Sequence, residues 1–133
     1  NYVPSNNRSQ LLNRGSNMIF LDAYNANPSS VRPALESLKA MPGKKKVAIL
    51  GDMLELGADS QKEHEAIARF AAQQKLDILV LVGPEFGRTN FSKHKALHFP
   101  DTAAAKIWFE NEKLENSVIL IKGSRGMRLE QLL

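Results

Sequence analysis

Three short, unbroken apolar runs punctuate this chain: Val47-Ala48-Ile49-Leu50, Ile78-Leu79-Val80-Leu81-Val82 and Val118-Ile119-Leu120-Ile121. A strand with one wet face alternates apolar and polar residues, so a continuous run of this length reads as a strand covered on both faces. Helices packed on the two sides of a sheet supply such cover. Helical spacing is found where that requires it. Val31, Leu35, Leu38 and Met41 recur at intervals of three and four. Pro33 is tolerated in a first turn, which places the helix start near Ser29 or Ser30. Ser60-Gln61-Lys62-Glu63 has the form of a capping box opening a second helix, with Ile67, Phe70 and Ala71 on one face. Ala96-Leu97-His98-Phe99 reads as a weaker strand. Asp101 or Thr102 can cap a third helix, with Ala104, Ile107 and Trp108 facing inward. Residues 127–133 leave room for a final helix. Ahead of all these, residues 8–13 and 18–24 read as strands joined by a hairpin turn at Gly15-Ser16-Asn17. The fold class is therefore α/β: a mostly parallel sheet with right-handed crossovers and an N-terminal antiparallel hairpin.

The 133 residues suit one domain with a core large enough to need no covalent staples. A hydrophobic share of 43% and a charged share of 24% belong to a globular protein. The chain lacks cysteine, which excludes disulfides and thiolate metal sites and fits a cytoplasmic setting. No apolar run approaches the roughly 18 residues of a membrane span. Residues 1–7 are polar, with no signal-peptide core and no initiating methionine, so a piece of a longer chain is expected. The formal charge of +4 invites nucleic acid as a partner. Yet the densest cluster, Lys44-Lys45-Lys46, sits in a turn after Pro42-Gly43 without neighbouring aromatics for base stacking, and reads as a solvated loop. Neither nucleic acid nor membrane is expected as a partner, and a monomer is expected. A mildly basic surface also suits a small anionic ligand.

In an open parallel sheet, ligands sit beyond the carboxyl ends of the strands. Those positions select four segments. Asp22-Ala23-Tyr24-Asn25-Ala26-Asn27-Pro28 offers a carboxylate, a phenol and two carboxamides before a helix N-terminus, where an anion is favoured. Asn-x-Asn-Pro is equally ordinary turn and capping chemistry. Gly51-Asp52-Met53-Leu54-Glu55-Leu56-Gly57 places two carboxylates between glycines; they could hold a cationic amine or a metal-bound water, or be plain exposed acids with Glu55 paired to a nearby lysine. Lys122-Gly123-Ser124-Arg125-Gly126 sets two cations and a hydroxyl among glycines, which suits phosphate or carboxylate. Gly83-Pro84-Glu85-Phe86-Gly87 is most simply a tight loop. His64, His94 and His98 have no metal-ligand spacing, so no metal site is expected. Neither a Gly-x-x-x-x-Gly-Lys-Ser/Thr phosphate loop nor a Gly-x-Gly-x-x-Gly fingerprint is present.

Taken together and in order, four stretches resemble the Mur ligase family, in particular its branch that adds D-alanyl-D-alanine. They are Asn7-Arg8-Ser9-Gln10, residues 22–30, residues 49–57 with His64 after them, and residues 118–130. The resemblance implies a Rossmann-like three-layer domain, the third of three in an ATP-dependent ligase of peptidoglycan synthesis. In that family a precursor carboxylate is phosphorylated to an acyl phosphate, which the amine of the incoming residue attacks. By resemblance, Asp22 would meet the ATP ribose, with Tyr24, Asn25 and Asn27 near the nucleotide and Arg8 reaching the phosphates. Lys122, Gly123, Ser124 and Arg125 would border the acyl phosphate and the dipeptide carboxylate, with Lys122 and Arg125 stabilising charge. Asp52, Glu55 and His64 would lie near the dipeptide amine. The UDP-N-acetylmuramoyl-tripeptide, the phosphate loop and the Mg2+ ligands would belong to the first two domains, so this chain alone is expected to be inactive. The alternative is a stand-alone nucleotide-binding or protein-interaction module of the same fold.

Overall fold

The structure is a computed structural model describing residues 10–133. Its strands are β1 (Gln10–Arg14), β2 (Asn17–Asp22), β3 (Lys45–Gly51), β4 (Ile78–Val82), β5 (Leu97–Phe99) and β6 (Ser117–Lys122). Its helices are α1 (Pro28–Ala40), α2 (Ser60–Gln73), the single turn α3 (Pro84–Gly87) and α4 (Thr102–Glu112). They form one six-stranded sheet in the order β1-β2-β6-β3-β4-β5. Only β1 runs antiparallel, paired to β2 through a turn in which Gly15 takes a φ of 59°. The other four pairings are parallel. The expected fold class is the one found.

The last strand, β6, lies in the middle of the sheet and is buried along its whole length. That explains why its sequence is an unbroken apolar run. Successive residues point to opposite faces, and two cores result. Ala48, Leu50, Val118 and Leu120 face Val31, Leu35 and Leu38 of α1 and Ile67, Ala68 and Ala71 of α2. Val47, Ile49, Ile119 and Ile121 face Ala105 and Trp108 of α4 and Leu129 and Leu132 near the chain end. The chain moves outward through α1 and α2 and returns through α4. A return in the opposite direction with the same crossover hand passes over the opposite face of the sheet.

Several local expectations are corrected. Helix α1 begins at Pro28 because Asn27 caps it: Asn27 Oδ1 accepts from the Ser30 amide at 3.0 Å, and Ser30 Oγ in turn accepts from the Asn27 amide at 3.1 Å. Pro33 therefore falls inside the helix, costing its i to i−4 bond, rather than in the first turn. Ser60 is the first residue of α2 and not a capping box, because its hydroxyl is drawn away to Glu85 Oε1 at 2.7 Å. In α4 the buried positions are Thr102 and Ala105, and Ile107 is 62% exposed. Packing there follows Thr102, whose hydroxyl donates to the Met127 carbonyl at 2.6 Å. Lys45 and Lys46 belong to β3 and not to a turn, extended by pairing with Ser117 and Val118. Residues 127–133 form no α-helix. Two 3-10 turns, Arg125–Met127 and Leu129–Leu132, are separated by Arg128 in the left-handed region. Gly83–Gly87 is a helical turn rather than a plain loop.

Candidate functional site

The carboxyl ends of β2, β6, β3 and β4 meet at one edge of the sheet, and the segments leaving them are tied to one another. Asp22 and Lys122 are register partners on neighbouring strands, as are Lys122 and Leu50. Lys122 Nζ donates to Asp22 Oδ2 at 2.6 Å and to the Asn25 carbonyl at 2.9 Å. The lysine side chain is 4% exposed and the aspartate 20%. A buried ammonium is costly unless paired and hydrogen-bonded, and here it is both. Lys122 thus fixes the β2 end and the turn after it. Tyr24 and Asn25 stand exposed on that turn, while Asn27 is taken up in capping α1. Arg8 lies outside the described residues.

The segment after β6 packs against the segment after β3. The Gly123 amide donates to the Asp22 carbonyl and the Ser124 amide to the Asp52 carbonyl. Ser124 Oγ accepts from the Leu54 amide at 2.8 Å. Gly123 permits this approach: a Cβ there would stand 2.7 Å from Leu129 Cδ1 and 3.1 Å from Gly51 Cα. Beyond it, Arg125 is exposed, its guanidinium carbon 5.5 Å from the Tyr24 ring centroid. An arginine laid over an aromatic ring is held without losing its donors to another anion.

Asp52 and His64, both expected near an incoming amine, are turned inward. Asp52 is 1% exposed; its two oxygens accept from the Glu85 and Phe86 amides of α3 at 2.8 and 2.9 Å. Burial pushes its carboxyl above the ordinary value, although those two amides oppose the rise. His64 Nε2 accepts from the Met53 amide at 2.9 Å, which leaves the ring proton on Nδ1 to reach the Ser60 carbonyl at 2.7 Å. Both residues therefore shape the loop from inside and keep their polar atoms away from solvent. Glu55 is the exposed carboxylate of this loop, at a φ of 68°. It lines an open cleft of about 420 Å³ with Ser60, Gln61, Glu85 and Arg88.

Sequence reasoning missed the partner of Asp52. The signal was Gly83-Pro84: a glycine at φ 120°, then a proline at a helix N-terminus, presenting free amides. Among the described residues no group of three or more His, Cys, Asp or Glu is placed to hold a metal ion. Among the same residues no helix is long and apolar enough to cross a membrane.

Comparison with known proteins converges on one family. Residues 7–125 match the model of the "Mur ligase, glutamate ligase domain" family. The UDP-N-acetylmuramoyl-tripeptide–D-alanyl-D-alanine ligase of Rickettsia prowazekii is 32% identical over 134 residues, covering 94% of this chain and 28% of that protein. A crystal structure of MurF from Acinetobacter baumannii superposes with a TM-score of 0.81 at 29% identity, over 92% of this chain and 28% of that one. MurF ligase from Thermotoga maritima, solved in complex with ADP, gives a TM-score of 0.76 at 26% identity, over 98% of this chain and 30% of that one. The chain thus spans less than a third of the length of these relatives. With residues 7–125 inside the family match, all six strands and their connections included, this chain belongs to the Mur ligase family and carries its glutamate ligase domain.

Proposed function

We propose that this domain is the closing part of an ATP-dependent ligase that joins D-alanyl-D-alanine to UDP-N-acetylmuramoyl-tripeptide through an acyl phosphate, in the cytoplasm. The observation that carries the reading is the convergence of Asp22, Tyr24, Asn25, Ser124, Arg125 and Glu55 on one sheet edge. It is supported by relatives bearing that enzyme name, and by a relative that binds ADP. Asp22 accepts from the nucleotide ribose; a carboxylate has several acceptor sites, so pairing with Lys122 is compatible with this. Tyr24 and Asn25 flank the nucleotide. Arg125 is the exposed cation for the acyl phosphate or the dipeptide carboxylate. Lys122 acts from beneath, by holding Asp22 and the Asn25 turn in place. Asp52 and His64 hold the loop that presents Glu55 to the amine. The contribution is positioning and charge stabilisation, with water excluded when the domain closes on the rest of the enzyme. Mg2+ and the phosphate loop belong, on this reading, to the other domains, and no step here is assigned to the metal.

The test is to join this chain to the UDP-sugar and central domains of the Rickettsia relative and to follow phosphate release. D-alanyl-D-alanine is expected to drive release by the joined enzyme, and the chain alone to give none. Release driven by a single amino acid and not by D-alanyl-D-alanine would overturn the substrate assignment.

A further inference from the structure

The end of the sheet opposite the candidate site gathers lysines that the sequence scatters over four connections. Lys44 and Lys45 lie at the start of β3, Lys75 between α2 and β4, Lys93 and Lys95 before β5, and Lys113 after α4; all six are exposed. The connections touch. Lys44 Nζ donates to the Ser16 carbonyl, and the Asn116 amide to Ser16 Oγ. The Lys45 amide donates to the Asn116 carbonyl, and the Asp77 amide to the Lys46 carbonyl. Lys75, Lys93 and Lys95 line one open cleft of about 530 Å³. Among the described residues none of the six is within 4.0 Å of a carboxylate. Acids at this end include Asp77, Glu110, Glu112 and Glu115; Asp77 is occupied by the Lys46 amide at 2.7 Å, and Glu65 by His94, which lines the same cleft.

We propose that this basic end is a docking face for an anionic lipid bilayer. Lysine is a compact point charge suited to diffuse attraction, whereas bidentate reading of single phosphates favours arginine, and the six lysines outnumber the described arginines near this face, Arg14 and Arg69, the latter acting on Glu65. The exposed large apolar residue beside the lysines is Leu97, two positions after Lys95 and 44% exposed. An aliphatic side chain among lysines can enter the headgroup layer; stacking on bases would need an aromatic ring. Docking by this end points the candidate site away from the bilayer, so it leaves that edge open to the rest of the enzyme.

The experiment is co-sedimentation of the 133-residue chain with vesicles of phosphatidylcholine alone, or with a quarter phosphatidylglycerol. Binding is expected to the anionic vesicles only, and to vanish at about 1 M salt, where the screening length is about 3 Å. Each lysine near an anionic surface strengthens binding about fivefold, so Lys93→Glu/Lys95→Glu is expected to weaken it at least about 25-fold. Lys62→Glu/Lys106→Glu changes net charge equally but away from this face, and is expected to retain most of the binding. Circular dichroism checks that each variant folds. Equal binding to neutral vesicles, or equal loss in both double variants, would overturn the proposal. So would tighter binding to a short DNA duplex than to anionic vesicles at the same salt.

Discussion

Gly83→Ala places one methyl group at the junction that ties the β3 and β4 loops together. Gly83 has a φ of 120°, and a non-glycine residue held so far from its ordinary wells costs on the order of 1–3 kcal/mol. The new Cβ would stand 2.4 Å from Cγ and Oδ2 of Asp52 and 2.5 Å from Oδ1. Asp52 cannot yield by flexing a distal end, because both oxygens are bound to α3 amides. Moving it breaks two charge-assisted hydrogen bonds, each worth about 1.5–3 kcal/mol. Both penalties fall on one site and do not simply add, so the combined loss is about 3–5 kcal/mol. A domain of this size holds about 5–15 kcal/mol in total. Urea denaturation at neutral pH measures the loss. Gly126→Ala is the control: its methyl meets only the end of the Leu54 side chain at 3.0 Å, and it should cost less than about 1 kcal/mol. In an Asp52→Ala background, Gly83→Ala should cost at least about 1 kcal/mol less than in the wild type. Equal costs in the two backgrounds, or a wild-type cost under about 1 kcal/mol, would refute the clash as the mechanism.

Three further outcomes are expected. Lys122→Met should destabilise the domain by about 2–4 kcal/mol, less than for a fully buried pair because Asp22 keeps 20% exposure. Adding Asp22→Asn should recover part of that loss in a thermal melt. Glu65 accepts from His94 Nε2 at 2.6 Å and from the Asn90 amide at 2.8 Å. Burial raises its carboxyl, but the His94 and Asn90 bonds and the charges of His94 and Arg69 outweigh that, leaving it below the ordinary 4.5. A lowered carboxyl contributes stability that is complete above about pH 4.5 and is lost as pH falls through the folded-state value. Glu65→Gln should therefore lower the urea midpoint at neutral pH and converge on the wild type in acid; a constant difference would count against the linkage. Leu35→Ala should cost about 2–5 kcal/mol from a fully buried position, and Ile107→Ala less than about 0.5 kcal/mol.

The strands and the segments that follow them at the carboxyl edge were legible because they rest on local signals. An apolar run such as 118–121 records burial on two faces, and Gly123-Ser124 after it records close approach. The inward face of α4 was not legible from spacing. Of the stripe Ala104, Ile107 and Trp108, Trp108 does pack on the core, but Ile107 faces out and the buried positions are Thr102 and Ala105, set by the Thr102 bond to Met127. Ser60 had the sequence of a cap, but Asp59 stands at the N-cap and the Ser60 hydroxyl donates to Glu85, 25 positions away.

The charged residues divide in the same way. By itself the sequence determined the α/β layering and which four segments stand at the carboxyl edge, because periodicity and turn chemistry act between near neighbours. Tertiary structure alone decided which charges face inward and which face out. Lys122 pairs with Asp22 across 100 positions, and Asp52 with α3 across 33 and 34. Lys75, Lys93 and Lys95 share a surface only because β4 and β5 are neighbours. A charge finds its partner through distances that exist only after the sheet has formed, and no local pattern in the chain encodes them.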